Sequence, residues 1–266
     1  MTMSKTILSS FEDELMRTIE RWLPLLPPGR RTAFEADLRA LGAEHDRQLD
    51  VIATATMRGY ASNIRDEITG LVRRKYCLDY LRSLLSVAPA STMPALGVIL
   101  LDLDDFKPIN DTYGHGAGDR ALAAIGGILK AAIRIERGTD VLAHVPIDGV
   151  DPSVARAGGD EFLALLQLRD PEEIKPVTER IRRRVNDRER QLAHGYTFDL
   201  RLVASIGAVA CDLREVPSTL TVDTLVDRLI RIADDEMYQS KRDGQLHVAV
   251  VRFTDANAME LRDLAS

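Results

Sequence analysis

Residues 96–103 read LGVILLDL and lead directly into DDFKPINDTYGHGAGD, residues 104–119. The short apolar run predicts a buried strand, and aspartates follow at its end, at Asp102, Asp104 and Asp105. Ligands of α/β proteins usually bind where strands end, and neighbouring carboxylates repel one another and lose hydration unless a cation compensates them. By itself, this stretch is compatible with a cation site or with an acidic surface loop.

A second acidic stretch lies between two strand-like runs, residues 154–157 and 162–168. The intervening GGDE, residues 158–161, predicts a tight hairpin turn, because glycine permits positive φ and a close approach of a ligand to the backbone. A solvated turn is the alternative, since Gly-Asp pairs are common turn formers. If the strand that ends near Asp102 lies next to the strand 154–157, Asp102 and Asp160 converge and offer oxygen ligands suited to Mg²⁺.

The chain alternates between helical and strand-like patterns from about residue 66 onward. Polar segments with helical spacing are followed by short apolar runs, an order that predicts an α/β sandwich with a mixed sheet. The predicted helices cover residues 119–134, 171–192 and 222–242, and the further strands cover residues 198–210 and 247–253.

Residues 4 to about 66 have a helical pattern that is interrupted by PLLPPG, residues 24–29, because proline removes a backbone donor and restricts the residue before it. Apolar side chains recur there at spacings of three and four and form one stripe. At this spacing Trp22 is interpreted as a core or interface residue rather than a ligand platform. The stripe consists of Phe11, Leu15, Ile19, Trp22 and Leu23.

The composition excludes several classes of protein. The formal net charge of -6 gives no global attraction to nucleic acid, so a polyanionic ligand requires a local site, most simply one with metal ions. The two cysteines, Cys77 and Cys211, lie far apart and favour neither a disulfide framework nor a zinc site. Neither a signal peptide nor an apolar stretch of about 20 residues is found, so we expect a cytoplasmic protein without a membrane span.

The acidic stretches resemble the signatures of the GGDEF domain family of diguanylate cyclases. Residues 101–119 resemble the nucleotide-binding signature of that family, and RAGGDEF, residues 156–162, contains the motif that names it. The resemblance covers residues 66 to 253 with every motif in order. The shorter matches are DEITGL at residues 66–71 followed by Arg74, Ser205-Ile206-Gly207, and ADDEMYQSKRDG at residues 233–244.

The resemblance implies an α/β (α+β) fold, the palm of nucleotidyl cyclases and polymerases, with a central mixed five-stranded sheet wrapped by helices and preceded by an all-α region. It divides the chain into a helical region at 1–65, a diguanylate cyclase domain at 66–254 and a tail at 255–266. It also implies that two GTP molecules condense to cyclic di-GMP with release of pyrophosphate. One domain carries one GTP, so two protomers must face each other; we assign dimerisation, and a possible contact with a regulatory protein, to the N-terminal helices.

The site residues implied by the resemblance fall into a metal group and a substrate group. Asp102, Asp160 and the Leu103 carbonyl would ligate Mg²⁺ or Mn²⁺, and Glu161 would join Asp160 as a catalytic carboxylate. Asn110 and Asp119 would hydrogen-bond the guanine. The other substrate-binding residues are Phe106, Lys107, Gly158, Gly159 and Lys241, of which the two lysines would hold the β- and γ-phosphates. His115 is interpreted as structural, and Met237 and Tyr238 as core.

The sequence departs from the family pattern at positions that bear on regulation and phosphate binding. Gly149 and Pro152 stand where the arginine and aspartate of the inhibitory site are expected, so we expect no product inhibition through that site. Gln245 replaces an expected phosphate-binding arginine, which leaves open a regulatory module that binds GTP without turning it over. A cyclase that makes cyclic GMP-AMP is disfavoured, because Asp119 pairs with guanine N–H groups that adenine lacks.

Overall fold

The computed structural model describes residues 64–87, 93–135, 152–253 and 259–263, without the side chains of 134–135 and 259–263. The chain divides into two compact units, Met1–Asn63 and Ile64–Ser266, and all described residues belong to the second unit. The predicted N-terminal helices, with their assigned role in dimerisation, lie outside the described residues.

The second unit is built from strands and helices that alternate along the chain, as the sequence predicts. The strands are β1 (Val72–Arg73), β2 (Ala95–Leu103), β3 (Val154–Gly158), β4 (Glu161–Leu168), β5 (Ala204–Asp212), β6 (His247–Phe253) and β7 (Met259–Asp263). The helices are α1 (Arg74–Val87), α2 (Phe106–Tyr113), α3 (His115–Ile135), α4 (Ile174–Val185), α5 (Arg188–Ala193) and α6 (Val222–Asp243), with a short 3-10 helix at Pro171–Glu173.

The described strands form one mixed sheet in the order β1-β3-β4-β2-β5-β6-β7. The pairs β1–β3 and β5–β6 are parallel, and the other neighbours are antiparallel. The predicted mixed sheet wrapped by helices is confirmed. Its five central strands are extended at one edge by the two-residue β1 and at the other by β7, which the sequence analysis did not predict.

The helices cover the two faces of the sheet. On one face, Ile99 and Leu101 of β2 pack in a cluster with Ile125 of α3 and Ile181 of α4. The opposite face holds α6, whose backbone lies so close to Gly207 of β5 that a Cβ atom added there would be 2.0 Å from the Met237 nitrogen. Strand β2 is buried along its whole length. This explains why it reads as a continuous apolar run rather than an alternating one.

Two predicted elements differ in extent from the observed ones. The strand predicted at 198–210 begins only at Ala204, because the residues before it bond to side chains rather than to a neighbouring strand. Gln191, for example, donates to the Leu202 carbonyl oxygen at 2.8 Å and accepts from the Leu202 amide at 3.2 Å. The helix predicted at 171–192 is divided after Val185, and Asp187 caps the next helix by accepting from the Glu189 amide at 2.9 Å.

None of the helices in the described part of the chain has the length and apolar character needed to cross a membrane. Cys77 and Cys211 are both buried, and neither forms a disulfide bond. Burial raises the pKa of the Cys211 thiol to about 12, so this side chain is an inert part of the core.

Candidate active site at the end of strand β2

The two acidic stretches meet at one edge of the sheet. In the sheet register, Asp102 lies between Glu161 of β4 and Ser205 of β5. The Leu103 amide donates to the Asp160 carbonyl oxygen at 3.3 Å. The sequence predicts this convergence only if strand 154–157 lies next to β2. The neighbour of β2 is instead β4, and Asp160 arrives beside Leu103 because it immediately precedes β4.

Asp102 is the most enclosed carboxylate of this group, with 5% of its surface exposed. Burial raises its pKa, and the nearby charges of Asp160 and Glu161 act in the same direction. The Lys241 ammonium, 2.8 Å from the Asp102 carboxylate, opposes this shift only in part. A carboxylate in these surroundings is stabilised by additional positive charge.

Lys241 reaches Asp102 because the end of α6 is docked tightly on β5. The absence of a side chain at Gly207 lets the α6 backbone approach, and the Ile206 amide donates to the Ser240 hydroxyl at 3.2 Å. Burial acts to lower the pKa of Lys241, but its hydrogen bond to Asp102 and the charges of Asp102 and Asp160 raise it overall. The Lys241 side chain is therefore protonated at neutral pH, and 41% of it is exposed to solvent.

The chain turns sharply after β2 to start α2. Asp105 adopts a left-handed conformation with φ 53°, and α2 begins at the next residue without a side-chain cap on its first amides. Asp104 is held by the start of β5 and the residue before it, since its amide donates to the Val203 carbonyl oxygen at 2.9 Å and its carboxylate accepts from the Ser205 hydroxyl at 2.7 Å. The turn thus presents uncapped backbone N–H groups next to the carboxylates, an arrangement that favours anions.

The hairpin turn is anchored by a residue that the sequence analysis did not single out. Arg156 donates from Nε and Nη2 to the Gly159 carbonyl oxygen at 2.9 and 2.7 Å, and from Nη1 to the Asp66 carboxylate at 3.0 Å. Asp66 also accepts from the amide and the hydroxyl of Thr69. Arg156 and Asp66 both belong to motifs quoted above. Their opposite charges were the feature of the sequence that could have predicted this ion pair.

The pKa of Asp66 is lowered in the folded state. Burial acts to raise it, but the Thr69 hydrogen bonds and the Arg156 charge together outweigh burial. Gly159 has φ 48°, a left-handed conformation that favours glycine, so the turn that carries Asp160 requires this residue type.

Helices α2 and α3 pack against each other directly after the β2 turn. The Asn110 side chain packs directly over Gly118, where an added Cβ atom would be 2.1 Å from Asn110 Oδ1 and 3.0 Å from the Phe106 ring. Asp119 follows at once on α3 and is exposed, as is Lys107 on the first turn of α2. The structure therefore brings Asn110 and Asp119 to the same contact between α2 and α3.

The remaining residues from the sequence analysis are distributed as follows. His115 is exposed at the start of α3, Pro152 is buried, and Gly149 lies outside the described residues. Directly after α6, the backbone amide of Gln245 donates to the Asp243 carboxylate at 2.8 Å.

The prediction for the pair at 237 and 238 is half correct. Met237 is buried, but Tyr238 is 61% exposed, so its assignment to the core was wrong. Ala233, Met237 and Ser240 face the sheet at helical spacing, and Tyr238 points about 100° away from that face because each helical residue is rotated by this angle.

Comparison with known proteins identifies relatives over the same part of the chain. The sequence model described as "Diguanylate cyclase, GGDEF domain" matches residues 63–247. Probable diguanylate cyclase DgcT of Escherichia coli is 30% identical over 188 residues, which are 70% of this chain and 35% of that protein. Diguanylate cyclase DosC of Escherichia coli is 32% identical over 183 residues, 69% of this chain and 34% of that protein. The chain thus spans about a third of the length of these relatives.

Solved structures show the same fold. The coiled coil and GGDEF domain of DgcB from Caulobacter crescentus, in complex with c-di-GMP, has a TM-score of 0.57 at 20% identity, covering 82% of this chain and 99% of that one. Diguanylate cyclase SiaD from Pseudomonas aeruginosa, in complex with its activator SiaC, has a TM-score of 0.53 at 24% identity, covering 93% and 81%. The match to the family over most of the chain, with its motifs gathered at one edge of the sheet, shows that this protein belongs to the GGDEF domain family.

Proposed function

We propose that this protein is a diguanylate cyclase, which joins two GTP molecules into cyclic di-GMP with release of two pyrophosphates. The observation that carries the proposal is that Asn110 and Asp119 come together on the two helices that directly follow the carboxylate cluster, which also contains Lys241. We assign this α2–α3 contact as the base pocket, because its polar groups suit guanine, and the cluster suits a triphosphate with its cations. The relatives named above are diguanylate cyclases, which supports the same activity here.

The donor set of the cluster fits a hard divalent cation such as Mg²⁺ or Mn²⁺. In the part of the chain that the structure describes, no group of three or more acidic, histidine or cysteine side chains is placed to hold a metal ion. Mg²⁺ in phosphoryl-transfer sites commonly takes one or two carboxylates and completes its shell with phosphates and water. Asp102, Asp160 and the Leu103 carbonyl would hold it, and the burial that raises the pKa of Asp102 supports this assignment, because a cation would offset the charge of the buried carboxylate.

The chemistry of the metal would be to offset the charge that builds on the α-phosphate and the departing pyrophosphate. This chain's own groups hold the rest of the triphosphate. Lys241 is charged and half-exposed beside Asp102, and Lys107 stands on the first turn of α2 with the uncapped amides of that helix. The 3′-hydroxyl of the facing GTP loses its proton to solvent as its oxygen attacks the α-phosphorus, and the bond from that phosphorus to the oxygen that bridges to the β-phosphate breaks, so that pyrophosphate leaves. Glu161 is assigned with Asp160 as an essential carboxylate.

Guanine recognition is assigned to Asn110 and Asp119. The Asp119 carboxylate accepts from guanine N1–H and N2–H₂, and Asn110 offers both a donor and an acceptor. Adenine would place a ring nitrogen lone pair against the Asp119 carboxylate. It would therefore lose a hydrogen bond and would also be repelled by the charge of the carboxylate. A site built in this way discriminates against the wrong base by about a hundredfold or more.

The reaction requires two copies of the chain. The described unit contains one carboxylate cluster and one base pocket, so a single unit supplies one GTP, and its 3′-hydroxyl must reach the α-phosphate held by another unit. We therefore propose a homodimer as the active form, held by the region before residue 64. Positioning of the two substrates then supplies much of the rate enhancement.

The alternative function is a module that binds GTP without turning it over. Gln245 favours this alternative, because it follows α6 at a place where a charged guanidinium would add a donor fork for phosphate. The carboxylates and the base pocket favour the cyclase, since a binding module has no need of a second acidic residue next to Asp160.

Incubation of the purified full chain with GTP and Mg²⁺, followed by mass analysis of the products, tests the proposal. We expect cyclic di-GMP and pyrophosphate from the wild type. Asp160→Asn is the matched control, because it keeps the size of the side chain and removes one negative charge from the cluster. Binding of GTP without any product would support the regulatory module and overturn the cyclase.

A further inference from the structure

The loop that leads into β5 contacts both helices of the base pocket. The Phe198 ring lies 5.1 Å from the Tyr113 ring of α2, measured between ring centroids. The centroid of the same ring lies 4.9 Å from the guanidinium carbon of Arg120 on α3. Tyr113 stands one turn after Asn110, and Arg120 is the residue next to Asp119. Phe198 thus touches each of the two helices close to its base-reading residue.

The ring is held from behind by the same loop and by α5. Tyr196, which is fully buried, has its ring 5.4 Å from that of Phe198. Arg188 of α5 donates to the Phe198 carbonyl oxygen, and its guanidinium carbon lies 5.6 Å from the Tyr196 ring centroid. These contacts fix the backbone on both sides of the ring, so Phe198 is an anchored part of the structure although its loop has no regular secondary structure.

The two pocket helices follow each other in the chain and pack directly together, with Asn110 and the Phe106 ring of α2 lying over Gly118 of α3. A side chain from a third element that contacts both helices limits their movement relative to each other. Phe198 is such a side chain, because it bridges Tyr113 and Arg120. Arg120 is itself tied to α3 by a hydrogen bond from Nε to the Gly116 carbonyl oxygen at 3.2 Å.

We propose that Phe198 is a positioning residue for base selection, which sets the separation between Asn110 and Asp119 by clasping α2 to α3. This inference rests on the proposed function, since it assigns a specificity role within the base pocket. Two hydrogen-bonding residues on separate helices recognise one edge of a base only when their spacing matches it. Loosening the contact of Phe198 with α2 and α3 weakens the binding of guanine more than the binding of adenine, because adenine does not hydrogen-bond to Asn110 and Asp119 together.

The test measures binding of the α,β-methylene analogues of GTP and ATP by calorimetry with Mg²⁺ present, because these analogues resist the cleavage that cyclisation requires. Phe198→Leu keeps an apolar side chain against the core and removes the ring contacts. We expect the dissociation constant of the guanine analogue to rise about three- to tenfold, as the loss of one or two ring contacts predicts, with little change for the adenine analogue. Phe198→Tyr retains the ring and should restore wild-type affinity.

Leu200→Ala is the control variant, since Leu200 is an exposed apolar residue of the same loop. Steady-state kinetics with GTP distinguish a role in substrate binding from a role in the chemical step. Phe198→Leu should raise KM and leave kcat within about twofold, because the ground state and the transition state lose the same binding interaction. Unchanged affinity, or equal weakening of both analogues, overturns the inference. A wild type that binds the guanine analogue selectively but makes no cyclic di-GMP refutes the cyclase proposal and leaves the Phe198 measurement valid.

Discussion

The two acidic turns of the site are held in place by different interactions. The turn after β2, residues 102–105, is fixed by strand pairing on both sides and by the close packing of α6 on β5. The hairpin turn, residues 158–161, is fixed by glycine conformations and by the charges of Arg156 and Asp66. Backbone pairing in a buried sheet is insensitive to pH and salt, whereas an ion pair depends on both. The two turns should therefore respond differently to mutation and to solution conditions.

Removing a carboxylate from the hairpin turn should have the largest effect on activity. Asp160→Asn and Glu161→Gln each take one negative charge from the proposed cation site, and we expect cyclic di-GMP synthesis to fall by at least about a hundredfold. Circular dichroism should show an unchanged fold. Glu179→Gln, at an exposed position of α4, is the matched control and should retain full activity. Wild-type rates in either variant would refute the metal-site assignment.

Disturbing the packing behind the β2 turn should have the largest effect on stability. Gly207→Ala places a methyl group 2.0 Å from the Met237 nitrogen, so α6 must move away from β5. Overpacking of this kind costs about 1–3 kcal/mol or more of unfolding free energy. Because Lys241 is carried on the displaced helix end, activity should fall as well.

Urea denaturation measures the cost of that change. Gly116→Ala adds the same methyl group where no heavy atom lies within 4 Å, and its unfolding free energy should stay within about 0.5 kcal/mol of the wild type. Equal stability of the Gly207 and Gly116 variants would contradict the close packing of α6 on β5.

Breaking the ion pair behind the hairpin should lower stability by an amount that depends on salt. Arg156→Gln leaves the Asp66 carboxylate with the Thr69 hydrogen bonds only, and we expect a loss of about 1–3 kcal/mol of unfolding free energy. The hairpin also loses the donors to Gly159, so activity should decrease although no carboxylate is changed. Arg183→Gln, an exposed arginine of α4, provides the control. A double-mutant cycle with Asp66→Asn should give a coupling free energy above zero that shrinks at high salt.

The smallest expected effect is a dependence of stability on acid. The pKa of Asp66 is lowered in the folded state, so its contribution to stability is complete above the unfolded value of about 4 and is lost as the pH falls through the lowered folded value. The difference in unfolding free energy between the wild type and Asp66→Asn should therefore be constant near neutral pH and narrow below about pH 4. A difference that widens in acid would contradict the direction of the shift.

Most of the sheet could be predicted from the sequence because the decisive signals are local. The apolar run of β2 and the hairpin around Gly158 and Gly159 are visible as patterns of a few residues, and both are observed. The missed start of β5 at Ala204 has a non-local cause, since Leu202 is bonded to the Gln191 side chain and Arg201 donates to the Asn186 carbonyl oxygen. Tyr238 was misassigned because apolar character alone does not specify which side of a helix meets the sheet.

The sequence by itself determined which residue types this site contains, because the acidic turns and the polar helix start stand in short motifs with their own spacing. Only the tertiary structure decided which groups meet. Strand β4 rather than β3 lies beside β2, Lys241 arrives from a helix more than a hundred residues later to pair with Asp102, and Arg156 reaches back to Asp66. The physical reason is that strand order and helix docking depend on the packing of the whole core, whereas a motif records only its own neighbours.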